Sequence, residues 1–132
     1  MTVDLTMLVY STILAWATLM TGSMTRTRAH TPSGMVLAFG NRANLPPASD
    51  LAGRADRAAK NMLENLLLFA ALVLTAHAAG AADATTALGA QIFFFARVVY
   101  FLVYLIGLPY LRTLVWSVSI AGMGMILVAL LF

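Results

Sequence analysis

The sequence contains no cysteine, which excludes disulfides, thiolate metal sites and a cysteine nucleophile. Charge is equally scarce: Asp, Glu, Lys and Arg make up 10% of the 132 residues, against 61% hydrophobic. A soluble domain of this size needs far more polar surface. The two histidines, His30 and His77, have no second histidine or carboxylate at metal-ligand spacing, so no metal site is read. A glycine-rich phosphate loop, a Ser-His-Asp constellation and internal repeats are also missing. Conventional soluble chemistry has no home here, and lipid is the expected solvent.

What the chain has in abundance is long apolar runs, each near the roughly 20 residues that cross a bilayer as a helix. The pattern predicts an all-α integral membrane four-helix bundle forming a single domain over 1–132, with helices at about 4–24, 54–80, 86–106 and 110–132 and a loop at 25–53. The first run lacks a basic leader and a small-residue cleavage site, so it reads as an anchor and not a removed signal peptide. Ser49 or Asp50 can cap the second helix ahead of its apolar run. Gly80 to Thr85 and Gly107-Leu108-Pro109 are tight links that make the last three helices antiparallel neighbours.

The stretch from Thr25 to Lys60, the long loop with the start of the second helix, carries Arg26, Arg28, Arg42, Arg54, Arg57 and Lys60 against Asp50 and Asp56. By the positive-inside rule it is cytoplasmic, with both termini on the opposite side of the membrane. The basic excess reads as topology and anionic-lipid contact, not nucleic-acid binding, because only Phe39 interleaves with the arginines.

Polar residues also recur where a membrane helix should avoid them. Arg54, Arg57, Asn61 and Glu64 fall within roughly an 80° arc of the second helix. Arg97, Tyr100 and Tyr104 share one face of the third. Arg112 and Thr113 open the fourth at the same membrane side. Arg97 lies about 13 Å inside its helix end, and an arginine at that depth requires a partner. Glu64 is the one carboxylate at comparable depth, so an Arg97–Glu64 interaction or a shared network is expected. Taken singly, the flank arginines read as cytoplasmic charges, the tyrosines as interfacial aromatics and the Arg97–Glu64 pair as structural glue. Three helices converging with arginines, an amide, a carboxylate and two phenols read instead as a binding site for a small anion.

Arg54-x-x-Arg57-x-x-x-Asn61-x-x-Glu64-Asn65, followed by Arg97-x-x-Tyr100-x-x-x-Tyr104 and Arg112, resembles the MAPEG superfamily of membrane-associated proteins in eicosanoid and glutathione metabolism. The long loop, with Gly34, Gly40, Pro46 and Pro47, differs from mammalian members, and the overall look is that of a bacterial-type member, which implies a bacterial inner membrane, with a eukaryotic endoplasmic reticulum as the alternative. The resemblance implies a homotrimer with glutathione as co-substrate between subunits and a lipophilic small molecule as second substrate. It implies that Arg57, Asn61 and Glu64, with Arg54 in the same stripe, and Arg97, Tyr100 and Tyr104 hold the tripeptide. Thr113 stands beside them, and Arg26 or Arg28 reaches in from a neighbouring subunit. Arg112 then takes the catalytic role, lowering the thiol pKa so that a thiolate is available near neutral pH. The implied activity is a membrane glutathione transferase or peroxidase-like enzyme. The alternative is a non-catalytic lipid-binding or accessory protein that keeps the same fold. A channel or transporter lacks the discontinuous-helix signals it would need.

Overall fold

The computed structural model describes residues 1–132 and is entirely helical. Its elements are α1 (Val3–Thr27), α2 (Pro32–Phe39), α3 (Asp50–Ala78), α4 (Ala84–Ile106) and α5 (Pro109–Leu131). Four of them, α1, α3, α4 and α5, are long and apolar enough to cross a membrane. They run alternately up and down, as the tight links require, and form the expected membrane helical bundle. The 28–49 connection marks one end of the bundle, the loop end, and the Gly80–Asp83 link marks the opposite, far end.

Local chemistry sets each boundary. Ser49 accepts from the Ala52 N–H and starts α3. Asp83 and Thr86 form a reciprocal capping box at the start of α4. Gly107 closes α4 with φ +90°, a left-handed conformation that glycine adopts without steric cost. Pro109 then opens α5 at a position where its missing N–H is not needed. The 25–53 stretch, read from sequence as loop, also contains the short helix α2. Its start is marked by Thr31, which accepts from the Gly34 N–H, and by Pro32. Eight residues including a glycine give too little periodicity to be seen against the surrounding glycines and prolines. Arg26 reaches across this stretch and donates to the Pro46 carbonyl at 2.5 Å, pinning it to the end of α1.

Helix α1 packs on α3 and α4, and α5 packs on α4 and α3; α1 and α5 do not meet. The apolar core lies at the far end, where Phe69, Val73 and Ala76 of α3 meet Ala90 and Phe93 of α4 and Met123 and Ile126 of α5. Phe69 and Phe93 stack at 4.0 Å between centroids. Beside them α4 and α5 come within backbone contact. A Cβ on Gly89 would stand 2.6 Å from the Gly122 carbonyl oxygen, and one on Gly122 equally close to that of Gly89. Small residues permit such approach in lipid, so Gly122 serves packing inside the protomer, whereas nothing lies within 4 Å of a Cβ at Gly124.

Candidate functional site

Towards the loop end the interior becomes polar. Arg97, on α4, is fully buried, and Tyr100 and Tyr104 follow it on the same buried face. The Arg97 guanidinium lies over the Tyr100 ring at 4.3 Å, and the two tyrosine rings meet edge to face at 5.4 Å. Arg97 Nη2 donates to Asn61 Oδ1 at 2.7 Å and Nε to Met62 Sδ at 3.5 Å. Its remaining nitrogen, Nη1, is buried without a partner.

The expected Arg97–Glu64 interaction does not form. Glu64 is exposed, and the amide of Asn61 takes the guanidinium instead. The reason is the phase of α3. Its buried residues, Ala55, Ala58, Met62, Phe69 and Val73 among them, centre on a direction roughly 160° from Glu64 at 100° per residue. Asn61 lies about 100° from that direction, on the flank that faces α4. Glu64 therefore occupies the outer edge of the polar stripe. Asn65 holds Asn61 in place by donating to its backbone carbonyl at 2.8 Å and to its Oδ1 at 3.3 Å.

Nearer the surface, Arg57 Nε donates to the Tyr104 hydroxyl at 3.3 Å. Arg112, from the first turn of α5, places its guanidinium over the opposite partner of that hydrogen bond, the Tyr104 ring, at 4.8 Å. Arg54 is used differently: its Nε donates to the Leu105 carbonyl at 3.1 Å, satisfying one of the orphan acceptors at the end of α4. One continuous network thus joins Asn65, Asn61, Arg97, Tyr100, Tyr104, Arg57 and Arg112.

This network borders a hollow of about 160 Å³ lined by Asn61, Tyr100, Arg112, Thr113 and Trp116. The Arg112 guanidinium makes a ring contact but no hydrogen bond, so its donors are unspent. Within one protomer, Arg57, Asn61, Arg97, Tyr100, Tyr104, Arg112 and Thr113 come together, Arg54 serves as a helix cap, and Glu64 points outward. Arg26 is spent on Pro46, and Arg28 lines a separate hollow at the end of α1. Met62 and Trp116 escaped the sequence reading, and Asn65 entered it only within the helix-two motif, without a role of its own. Asn65 had a usable signal, since it follows Asn61 by four residues on the same helix face. Met62 and Trp116 look like ordinary lipid-facing or core residues in sequence.

A second feature lies alongside. A groove of about 570 Å³ runs along the α4–α5 seam, lined by Leu88, Gln91, Ile92, Phe95, Ala96, Val99, Val115 and Val118. Every lining residue but Gln91 is apolar. Val99 and Val115 adjoin Tyr100 and Trp116 in sequence, so groove and hollow occupy neighbouring faces of the same two helices.

A buried cation over the first of two packed phenols and an unspent guanidinium near them match the convergence of polar residues that the sequence motifs pointed to. A model of the MAPEG family matches residues 5–132. The chain belongs to the MAPEG family. That membership accounts for the four spans, the tight links and the polar stripe together, and it makes the protein an integral membrane protein in contact with lipid. Comparisons with curated proteins and with solved structures give no match to this family member.

Proposed function

We propose that the protein is a membrane glutathione transferase or peroxidase-type enzyme in which Arg112 stabilises a glutathione thiolate that attacks a lipophilic electrophile. One observation carries this reading: the hollow beneath Arg112 brings an unspent guanidinium, a hydroxyl at Thr113, an amide at Asn61 and a phenol at Tyr100 to one place. These groups fit a tripeptide with a thiol and two carboxylates. Arg112 supplies the positive charge that lowers a thiol pKa, the buried Nη1 of Arg97 is a donor without an acceptor, and the exposed carboxylate of Glu64 suits an ammonium group.

Size supports a multi-subunit site. A hollow of about 160 Å³ is smaller than the roughly 300 Å³ at which small-molecule pockets usually begin. One protomer therefore holds part of the tripeptide, and a second copy of the chain completes the site, with three copies as the assembly. The α4–α5 groove receives the apolar part of the second substrate from the membrane. In the transferase reaction a carbon–sulfur bond forms as the leaving group departs with its electron pair, and the thiol proton passes to solvent. In this reading the hollow opens to the cytoplasm, where the basic loop lies.

Calorimetry of glutathione binding to the detergent-purified protein, with Arg57→Ala and Arg112→Ala beside wild type, tests the proposal. Saturable binding, weakened by Arg57→Ala, together with loss of thiolate absorbance in Arg112→Ala, supports it. No heat at millimolar glutathione from an intact assembly overturns it and leaves a lipid-binding or accessory role.

A further inference from the structure

The hollow at the end of α1 has no part in the network just described. It measures about 500 Å³ and is lined by Met24, Thr25, Arg28, His30, Thr31, Ser49 and Leu51. Five of the seven arginines in the chain spend a side-chain donor inside it, Arg26 on Pro46, Arg42 on Ala38, Arg54 on Leu105, Arg57 on Tyr104 and Arg97 on Asn61, and the sixth, Arg112, lies over the Tyr104 ring in the site already described. Arg28 is the seventh. It is exposed, donates no side-chain hydrogen bond, and lines this hollow. Its backbone is left-handed at φ +54° where it caps α1, a position at which glycine is the usual occupant.

The other donors around the hollow can be counted atom by atom. The Thr25 and Thr31 hydroxyl protons are committed to Thr21 and Arg28 carbonyls. Ser49 accepts from the Ala52 N–H through Oγ, which leaves its own proton free. Its backbone carbonyl takes the Gly53 N–H. The first two N–H groups of α3, those of Asp50 and Leu51, lack intrahelical acceptors, as at any helix start. A guanidinium, an imidazole and a free hydroxyl thus line one hollow, and Leu51, from the first turn of α3, lines it too. No carboxylate lines it; Asp50, next to Ser49, is exposed and outside the lining. Met24 and Leu51, both exposed apolar residues, form its lip.

We infer that this hollow binds a phosphate group, with Arg28 as the charged donor and Ser49 as the neutral one, and that the group is the headgroup phosphate of an anionic membrane lipid. Chemistry selects phosphate because a guanidinium and a hydroxyl at a helix start together suit a multi-oxygen anion. The apolar lip selects a lipid over a free anion, since a membrane-spanning helix ends at this level and an acyl chain can lie along Met24 and Leu51.

The test uses the full-length protein in nanodiscs of phosphatidylcholine doped with phosphatidylglycerol, extracted into mild detergent, with retained lipid read by native mass spectrometry. Wild type should retain phosphatidylglycerol over phosphatidylcholine by about tenfold, the scale of one charge-assisted hydrogen bond. Arg28→Gln should lose that preference while Arg42→Gln, an exposed arginine outside the hollow, keeps it. Arg28→Lys should recover part of it, which separates a lost charge from a misfolded α1 end. Displacement of the lipid by inorganic phosphate alone assigns the site to the shared phosphate chemistry with a free anion as source, and resistance assigns it to the lipid. Unchanged retention in Arg28→Gln, or equal loss in Arg42→Gln, overturns the inference.

Discussion

The two ends of this bundle are built from the same four helices by opposite rules. At the far end, stacked phenylalanines and a glycine-to-glycine contact fill the interior with carbon and backbone. At the loop end the interior holds an arginine, two asparagines and two tyrosines, and one of its nitrogen donors is left without an acceptor. The far half is closed mainly by packing, and its unpartnered buried atoms are two isolated oxygens of α1, Asp4 Oδ2 and Ser11 Oγ, with no cationic side chain beside them to form a network. The loop end carries an unmet polar demand within the membrane, which is where a small anion gains most. Apolar packing is thereby concentrated in one half of the molecule and the proposed chemistry in the other.

The largest effect that would sharpen this contrast is on stability alone. Phe93→Ala removes a fully buried ring and should cost about 3–5 kcal/mol. Thermal loss of helicity in detergent reads this cost, while the glutathione affinity of the remaining folded protein should stay at the wild-type value. A matching loss of affinity would mean that the two halves are not separate.

Asn61→Leu is next. It strips the Arg97 guanidinium of its one oxygen acceptor and should cost about 1.5–3 kcal/mol, the range for hydrogen bonds to charged groups. Arg97→Met should cost less, because it removes the buried charge together with its need for partners. The same melting measurement ranks the two, and the reverse order would break the account of Arg97. Arg112→Ala addresses function: turnover with an electrophile such as chlorodinitrobenzene should fall by about 100-fold, with an unchanged melting profile. The smallest effect belongs to the far end. Asp4 is buried with Oδ2 unpartnered, and Asp4→Asn should change stability by less than about 1 kcal/mol without touching glutathione binding. A fall in binding there would show that polar atoms at the far end are not idle.

Much of this layout was legible before any coordinates. Run length and the spacing of the tight links gave four antiparallel spans, and Arg97-x-x-Tyr100-x-x-x-Tyr104 placed three side chains on one face because 3.6-residue periodicity fixes their relative angles. What periodicity does not supply is the rotation of one helix against its neighbour. Glu64 and Asn61 belong to the same stripe of α3, and the packing of Ala58, Met62 and Phe69 decides which of them meets Arg97. Arg54 was indistinguishable from Arg57 for a related reason. Its use as a cap depends on where α4 ends relative to α3, a through-space relation that neither segment encodes alone. Conversely, the absence of a carboxylate partner for Arg97 is itself informative, since the amide of Asn61 leaves its positive charge unneutralised.

The close approach of Gly89 and Gly122 and the Gly107-Leu108 link together hold α4 and α5 at two points, one near each membrane surface. Two rods fixed at both ends cannot spread like scissors. Widening of the seam between them is confined to bowing of the intervening turns. The groove along Phe95 and Val99, whose side chains are exposed, therefore opens sideways, on the flank of the seam and not between the helix ends. For the second substrate proposed for this groove, the concentration at the site is then set by how strongly it partitions into the bilayer.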